Sequence, residues 1–387
     1  MDQYLGYDMT EISLNQHIAI GDLSPWLSVK TPRVTFRLTK AASFDPGIEG
    51  VAIGVLRHLV LSGMSIHVKC AFRPVDDHGR PQGILDGLFG VHLLFAVRTA
   101  IIEGDEREDV RATIVQNIWK YVRANQGDIG DGRKRSIIFR DPDYSIPECL
   151  RESVAARFPL PNKFNSLLTK MSRHIAGTAG ELSDLPAEEA VASFLYEAAL
   201  NAHEHARRVS DEAAAPPTVI RGVILEKLFF NSQNELHRRG SLSTDLREYL
   251  VRVWSSGPTH MSFLSATVAD LGPGIQNTLT ALPGESSWER LNRAFRSGVT
   301  SKPEVPDRGL GEGLTHILDA ALRLKAYLIV TSAELVGIRD CSCADAVREG
   351  QFLRASACDW TKSVGTSLTV IWPVRSGRGS QGQLFPA

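Results

Sequence analysis

The chain lacks the features that would place it in a membrane or in a disulfide scaffold. Its 387 residues contain no run of about eighteen apolar residues, so we expect no membrane span. The first residues lack the basic-then-apolar pattern of a secretory signal, which favours a cytoplasmic location. The five cysteines are scattered and odd in number, which argues against a disulfide framework.

The chain also lacks an excess of charge of either sign. It has 43 Lys and Arg against 44 Asp and Glu, and its formal net charge is −1. No overall field therefore draws it to nucleic acid or to a membrane, although a local basic patch stays open. Hydrophobic residues make up 43% and charged residues 22%, which is typical of a globular protein long enough for two domains.

Two common nucleotide-binding motifs are missing. The Walker phosphate loop is absent. Gly309, Gly311 and Gly313 do not meet the Rossmann spacing G-x-G-x-x-G, because Leu314 occupies its last place. If this chain binds a nucleotide, it does so through a different arrangement.

Clusters typical of metal sites are incomplete. His203 and His205 fail the H-E-x-x-H spacing and point about 200° apart on a helix. Cys341, Cys343 and Cys358 have no evident fourth ligand. Reduced thiols are therefore favoured over a zinc site.

Composition and turn signals predict four segments: a leader at 1–30, an α/β domain at 31–150, a second domain at 151–375 and a polar tail at 376–387. The first domain contains a strand at 34–38, a helix with Asp45 as its N-cap and Pro46 at its first position, and a strand at 65–72. Strand, helix and strand within about 40 residues predict a βαβ unit with parallel strands.

The stretch 191–206 organises the second domain. Its apolar residues recur on most sides of a helix, which predicts burial. Glu197, Asn201 and His205 stack along one face at i, i+4 and i+8. Buried polar groups cost several kcal/mol unless they are satisfied, and a metal with a phosphorylated ligand would satisfy them. The alternative is a core helix whose polar groups meet neighbouring backbone.

Two glycine-rich turns follow this helix. Asp270 ends a strand and precedes Gly272 and Gly274. A carboxylate there can accept a hydrogen bond from an adenine amino group, and the glycines let a ligand approach the backbone. Further on, the proline-containing stretch SKPEVPDRG predicts a mobile lid, and the glycines at 309–313 open a helix whose N–H groups form a phosphate site.

Four pieces in this order resemble the boxes of the GHKL ATPases, the superfamily of gyrase, heat-shock-90 chaperones, histidine kinases and MutL. Glu197 to Asn201 resembles the N box and Asp270 to Gly274 the G1 box. The stretch 309–314 resembles the G2 box, and Gly365-Thr366 stands at the G3 position. The resemblance covers about residues 160–375. It implies the Bergerat fold, a mixed sheet with helices on one face, preceded here by a smaller α/β domain.

The resemblance also implies roles for individual residues. Glu197 would be the general base and Asn201 the Mg²⁺ ligand, while Asp270 would bind the adenine amino group. The other ATP-binding residues it implies are His205, Gly272, Gly274, Thr300, Ser301, Lys302, Gly309, Gly311, Gly313, Leu314 and Thr366. The family often has leucine where Glu312 stands, and this glutamate adds a negative charge near the phosphate loop.

Three functions follow from the resemblance. The first is an ATP- and Mg²⁺-binding ATPase whose lid closure or dimerisation switches a partner protein. The second is a serine kinase of the anti-sigma-factor type. Residues 34–95 weakly resemble the STAS domain that often partners such kinases, although an unrelated α/β domain fits the same pattern. The third is a regulatory module that binds ATP without hydrolysing it.

Overall fold

The computed structural model describes residues 9–15, 17–104, 109–124, 128–130, 133–141, 166, 175, 185–205, 219–238, 242–254, 261–299, 312–343, 352–355 and 365–374. In these residues the chain forms a smaller parallel sheet near the N-terminus and a larger antiparallel sheet, both packed against helices. The predicted mixed α/β class is confirmed. None of the helices in the described ranges has the length and apolarity that crossing a bilayer requires.

The N-terminal region is a parallel α/β layer. Its strands are β1 Met9–Leu14, β2 His17–Ile18, β3 Arg33–Leu38, β4 Ser43–Phe44, β5 Ser65–Cys70 and β6 Val97–Ile102, and its helices are α1 Ser24–Leu27, α2 Ile48–Leu61, α3 Leu88–Ala96 and α4 Arg111–Ala124. Short 3-10 turns lie at Ile20–Leu23 and Gly83–Leu85. Strands β1, β3, β5 and β6 pair in parallel in that order, and β2 pairs with β4. The predicted βαβ unit is therefore confirmed as β3–α2–β5.

The start of α2 differs from the prediction. The helix begins at Ile48, and Gly47 precedes it with a φ of 77°. Asp45 is therefore not the N-cap, and Pro46 is not the first helical residue. The left-handed φ that the chain needs at the helix entry favours glycine, so the helix begins two residues later than the Asp-Pro pattern suggests.

The larger sheet has eight strands. They are β7 Asp128–Gly130, β8 Lys134–Asp141, β9 Val219–Phe230, β10 Met261–Asp270, β11 Tyr327–Ser332, β12 Leu335–Asp340, β13 Arg354–Ala355 and β14 Thr366–Val374. Their order is β13-β12-β11-β14-β10-β9-β8-β7. Neighbouring strands all pair antiparallel, so over the described residues the larger sheet is antiparallel and the mixed sheet expected here is wrong. The parallel pairs of the described residues lie in the N-terminal sheets.

Six helices accompany this sheet in the described part of the chain. They are α5 Leu185–His205, α6 Gln233–Arg238, α7 Thr244–Trp254, α8 Ile275–Thr278, α9 Ser287–Ala294 and α10 Gly313–Arg323. Along β10 successive side chains face opposite sides, because a strand has a period of two. Val268 joins the apolar cluster that contains α5 and α10, whereas Ala269 joins the cluster that contains α2, α3 and α7. The sheet is thus buried on both faces.

Helix α2 lies between the two sheets, where it makes close contact with the larger one. A Cβ added at Gly50 would overlap the side chain of Ser367, with Ser367 Cβ only 2.8 Å away. An ion pair joins the same layers, since Lys134 Nζ on β8 lies 2.8 Å from Glu49 Oε2 on α2. Strands β7 and β8, assigned with the first domain from sequence, therefore pair into the larger sheet, and β8 also contacts α2.

This packing yields a stability prediction. We expect Gly50→Val to lower the free energy of unfolding by about 1–3 kcal/mol, because the new side chain must push α2 away from β14. Valine has a higher helix propensity than glycine, so local propensity alone predicts no loss. Urea unfolding measures the change. Gly21→Val is the control, since a Cβ at Gly21 meets no atom within 4 Å. Equal stability of the two variants would contradict this account of the interface.

Candidate functional site

Most of the apolar side chains of helix α5 are buried, as its sequence predicts, while Glu189 and Ser193 are exposed. Its enclosed side chains are Ala190, Val191, Ala192, Phe194, Leu195, Ala198, Ala199 and Ala202. Glu197 and Asn201 are half-buried and stand one helical turn apart. The helix therefore presents a carboxylate and a carboxamide from within an apolar layer, and these two groups need polar partners.

The start of α10 lies directly against these two side chains. A Cβ built at Gly313 would stand 3.0 Å from Glu197 Oε2 and 3.2 Å from Asn201 Nδ2. The hydroxyl of Thr315 fixes this helix start by donating to the carbonyl of Phe295 at 3.3 Å. Glu197, Asn201 and Gly313, predicted from separate stretches, thus meet in one place. The unpaired N–H groups of the first turn give this place a positive potential.

Glu197 has a partner that the sequence did not suggest. His316 Nδ1 lies 3.2 Å from Glu197 Oε1, and His316 Nε2 lies 3.7 Å from Glu312 Oε2. The side chain of Glu197 is 17% exposed and that of His316 is 45% exposed. The Glu197 carboxylate thus lies beside the start of α10 and within reach of solvent.

Asn201 carries a buried amide nitrogen. Within the described residues, Nδ2 contacts no hydrogen-bond acceptor although it is closed off from water. A half-turn of the amide exchanges Nδ2 with Oδ1, so this position can present either a donor or an acceptor to a ligand. An amide oxygen beside a helix N-terminus fits the predicted Mg²⁺ ligand, because Mg²⁺ takes hard oxygen donors.

Asp270 ends β10 opposite Thr366, the first residue of β14. Its Oδ1 accepts a hydrogen bond from the Gly272 N–H at 2.6 Å. Burial raises the pKa of Asp270 to about 6, and hydrogen bonds from the backbone of Gly272 and Thr366 oppose that shift. The carboxyl group is therefore enclosed, held by backbone donors and still able to accept further hydrogen bonds.

Two glycines let the chain fold tightly around Asp270. Gly365 has a φ of 96°, and a Cβ there would overlap the Asp270 carbonyl oxygen. Gly274 has a φ of 91°, and a Cβ there would lie 3.1 Å from Ser332 Oγ. Ser332 Oγ also accepts the Ile275 N–H at 2.6 Å. The predicted turn after Asp270 is thus fixed to strand β11, which lies on the far side of β14 in the sheet.

Arg221 is a site residue that the sequence interpretation missed. It precedes Gly222, the pairing partner of Ala269, so it stands beside Asp270 on the neighbouring strand. Its side chain is buried, and Nη1 lies 3.4 Å from the Ala202 carbonyl oxygen and 3.1 Å from His203 Nδ1. Its charge also acts to lower the pKa of Asp270. The sequence feature that could have identified this residue is an arginine within the otherwise apolar run of β9.

Arg221 connects the two halves of the site. It joins the C-terminal turn of α5 to the strand end that carries Asp270. Val268, two residues before Asp270, faces α5, so the period of two turns Asp270 to the same face of the sheet. Glu197, Asn201 and the Asp270 carboxylate therefore lie on one side of the sheet.

Several predicted residues lie outside the described residues. These are Thr300, Ser301, Lys302, Gly309 and Gly311, together with the side chain of His205. Their roles stay predictions. Leu314, Gly272 and Thr366 are described, and all three lie on the segments that form the cleft.

The alternative metal sites gain no support in the part of the chain that the structure describes. There, no group of three or more His, Cys, Asp or Glu side chains is placed to hold a metal ion. His203 instead contacts Arg221. Cys341 and Cys343 are free thiols, and burial raises the pKa of Cys341 to about 12.

Comparison with known proteins does not add a family. A scan against protein-family models finds no match, and a search of curated proteins finds none. The functional interpretation therefore rests on the four motifs and on the geometry that brings the described parts of them together.

The raised pKa of Asp270 predicts a pH-dependent stability. The folded-state pKa of about 6 exceeds the ordinary value of 3.8, so ionisation of Asp270 destabilises the fold. The protonated form of Asp270 contributes at most about 3 kcal/mol to the free energy of unfolding. This contribution is complete below about pH 4 and is lost as the pH rises through about 6. We expect Asp270→Asn to remove this component. The stability of the variant relative to wild type should therefore increase between pH 4.5 and 7.5.

Urea unfolding at four pH values across this range measures the difference. Asp319→Asn is the matched control, because Asp319 is an exposed residue of α10. A constant difference between Asp270→Asn and wild type at all four pH values would show that Asp270 titrates normally.

Proposed function

We propose that this protein binds ATP with Mg²⁺ in the cleft between α5, the start of α10 and the end of β10, and hydrolyses it. Lid closure or dimerisation on ATP binding would switch a partner protein. The observation that carries the proposal is the contact of Gly313 with both Glu197 and Asn201. It brings Glu197, Asn201 and a helix N-terminus together at one point, on the face of the sheet to which Asp270 also turns, which supports the roles proposed for them.

The phosphates would bind at the start of α10. The helix is 11 residues long, and its first N–H groups have no partner within the helix. Such a start binds anions through the N–H groups and the helix dipole, without needing a lysine. Gly313 leaves room for phosphate oxygens, because it has no side chain between the backbone and Glu197.

Asn201 would hold the metal ion. Its amide lies beside Gly313, so an oxygen there and the phosphates at the helix start would share one cation. When bound, Mg²⁺ would neutralise charge on the phosphates. One protein ligand is consistent with Mg²⁺, which usually keeps several waters and binds through few protein groups plus substrate phosphates.

Asp270 would recognise the base. The carboxylate is enclosed by backbone and already oriented by the Gly272 N–H. An enclosed acceptor at this position favours a ligand with a hydrogen-bond donor, and the adenine amino group is such a donor. The glycines beside it let a flat ring approach the backbone.

Glu197 would act as the general base. A water oxygen forms a bond to the γ-phosphorus, the bond from that phosphorus to the bridging oxygen of ADP breaks, and Glu197 accepts the proton of the water. Phosphate and ADP are the products. Glu197 is half-buried beside the helix start, so its carboxylate would lie next to a water that attacks a phosphate bound there.

Incubation of the purified chain with γ-labelled ATP tests the proposal. Release of labelled phosphate supports it. Label transferred to a serine of an added protein would instead identify a kinase. Recovery of intact bound ATP would identify a binding module that does not hydrolyse ATP.

Two substitutions on α5 distinguish the role of the general base from that of the metal ligand. We expect Glu197→Ala to retain ATP-Mg²⁺ binding and to lower turnover by roughly 10²–10⁴-fold, because only proton transfer is lost. We expect Asn201→Ala to weaken binding and turnover together. Calorimetry and phosphate release measure the two effects. Glu189→Ala, at an exposed position of the same helix, should change neither. Turnover at the wild-type rate in Glu197→Ala would remove Glu197 from the mechanism.

Asp270→Asn tests the base pocket. An amide presents a donor to the adenine amino group, so we expect ATP affinity to fall by roughly ten- to a hundredfold while the protein stays folded. In wild type, the ionised carboxylate is the better acceptor, so affinity should rise as the pH increases through about 6. Titration calorimetry at pH 5, 6 and 7.5 measures both effects, with Asp319→Asn as the control. If Asp270→Asn leaves the ATP affinity unchanged, the adenine ring binds elsewhere.

A further inference from the structure

His316 stands between two carboxylates at the start of α10. Its Nδ1 lies 3.2 Å from Glu197 Oε1, and its Nε2 lies 3.7 Å from Glu312 Oε2. The histidine and Glu312 are one helical turn apart, and the backbone N–H of His316 donates to the backbone carbonyl of Glu312 at 2.8 Å. Glu197 comes from a different helix, 119 residues away in the chain. The imidazole therefore links the two helices that form the cleft.

The contact with Glu197 defines which ring atom donates. An ionised carboxylate only accepts hydrogen bonds, so Nδ1 of His316 must carry the proton in this contact. Nε2 then faces Glu312, which is 53% exposed and lies at the N-cap position of α10. Of the two contacts the one to Glu197 is shorter, and Glu197 is the less exposed of the two carboxylates.

A glutamate side chain has three rotatable bonds, so a single hydrogen bond strongly restricts where its carboxylate stands. His316 holds Oε1, and Oε2 lies 3.0 Å from the position that a Cβ of Gly313 would take. One oxygen is thus fixed by the imidazole while the other faces the helix start. A general base held in this way needs no reorientation before it accepts a proton.

We propose that His316 is the positioning residue of Glu197, which it orients toward the nucleophile through the Nδ1 to Oε1 hydrogen bond. The Glu312 carboxylate lies on the other side of the ring, 3.7 Å from Nε2. This role rests on the proposed function, since it concerns the base of that same reaction. His316 itself touches neither the nucleotide nor the water, and it acts only through the carboxylate it holds.

The first test compares two substitutions of His316. His316→Ala removes the donor, and we expect kcat to fall by about ten- to a hundredfold while the affinity for ATP-Mg²⁺ stays within about twofold. His316→Asn places an amide N–H near the position of Nδ1, and it should restore most of the lost kcat. Glu312→Gln should lower kcat only a few-fold. Asp319→Ala, on an exposed position of the same helix, should match wild type.

A double-mutant cycle shows whether the effect passes through Glu197. In the Glu197→Gln background, His316→Ala should lower kcat no further, because no base is left to position. A further tenfold loss in that background would overturn the positioning role. So would a wild-type kcat in His316→Ala, or a rate for His316→Asn as low as for His316→Ala. Far-ultraviolet circular dichroism of each variant checks that it is folded.

The two proposals fail in different ways. If wild type binds no ATP, or binds it and never turns it over, the proposed function fails and the role of His316 falls with it. If wild type turns ATP over and depends on Glu197 but not on His316, the proposed function stands and only the positioning role is overturned.

Discussion

The close approach of α10 to α5 at Gly313 is the contact on which the site depends. Helix α5 buries most of its apolar side chains, yet it carries Glu197 and Asn201 on the face that meets α10. Any side chain at position 313 would fill the space beside these two polar groups, with a Cβ already 3.0 Å from Glu197 Oε2. Because this one residue has no side chain, the N–H groups of a helix start can stand next to a half-buried carboxylate and carboxamide.

The strand end that carries Asp270 is fixed from both faces of the sheet. On one face it opens toward α5 and Arg221. On the other, Ala269 and Ser367 pack against α2 at Gly50, within one continuous apolar cluster that reaches the parallel sheet. The N-terminal region thus covers the second face of the larger sheet. A strand end packed on both sides has little freedom to shift, which is what a preorganised acceptor for a ligand requires.

Local patterns were sufficient for the parts of the fold that local physics determines. The apolar period of α5, the β3–α2–β5 unit and the glycine turn after Asp270 could all be predicted from neighbouring residues. Arg221 and His316 could not, because their partners depend on strand register and on a helix contact across 119 residues. The pairing of β8 with β9, which carries residues 134–141 into the larger sheet, is likewise a property of register across a long sequence gap. Register follows from which faces are buried, and that is decided by the whole fold.

The distribution of donors and acceptors in the cleft also fixes the direction in which a nucleotide would lie. The end at α10 offers backbone N–H groups, which attract phosphate oxygens. The end at β10 offers the Asp270 carboxylate, which attracts a hydrogen-bond donor and repels phosphate. A reversed nucleotide would place its phosphates against Asp270 and its amino group against N–H donors, so both ends would be mismatched. Only the forward orientation brings the terminal phosphate to Glu197. In the proposed complex, the same polarity that favours adenine at Asp270 would therefore bring the terminal phosphate to the side chain that activates water.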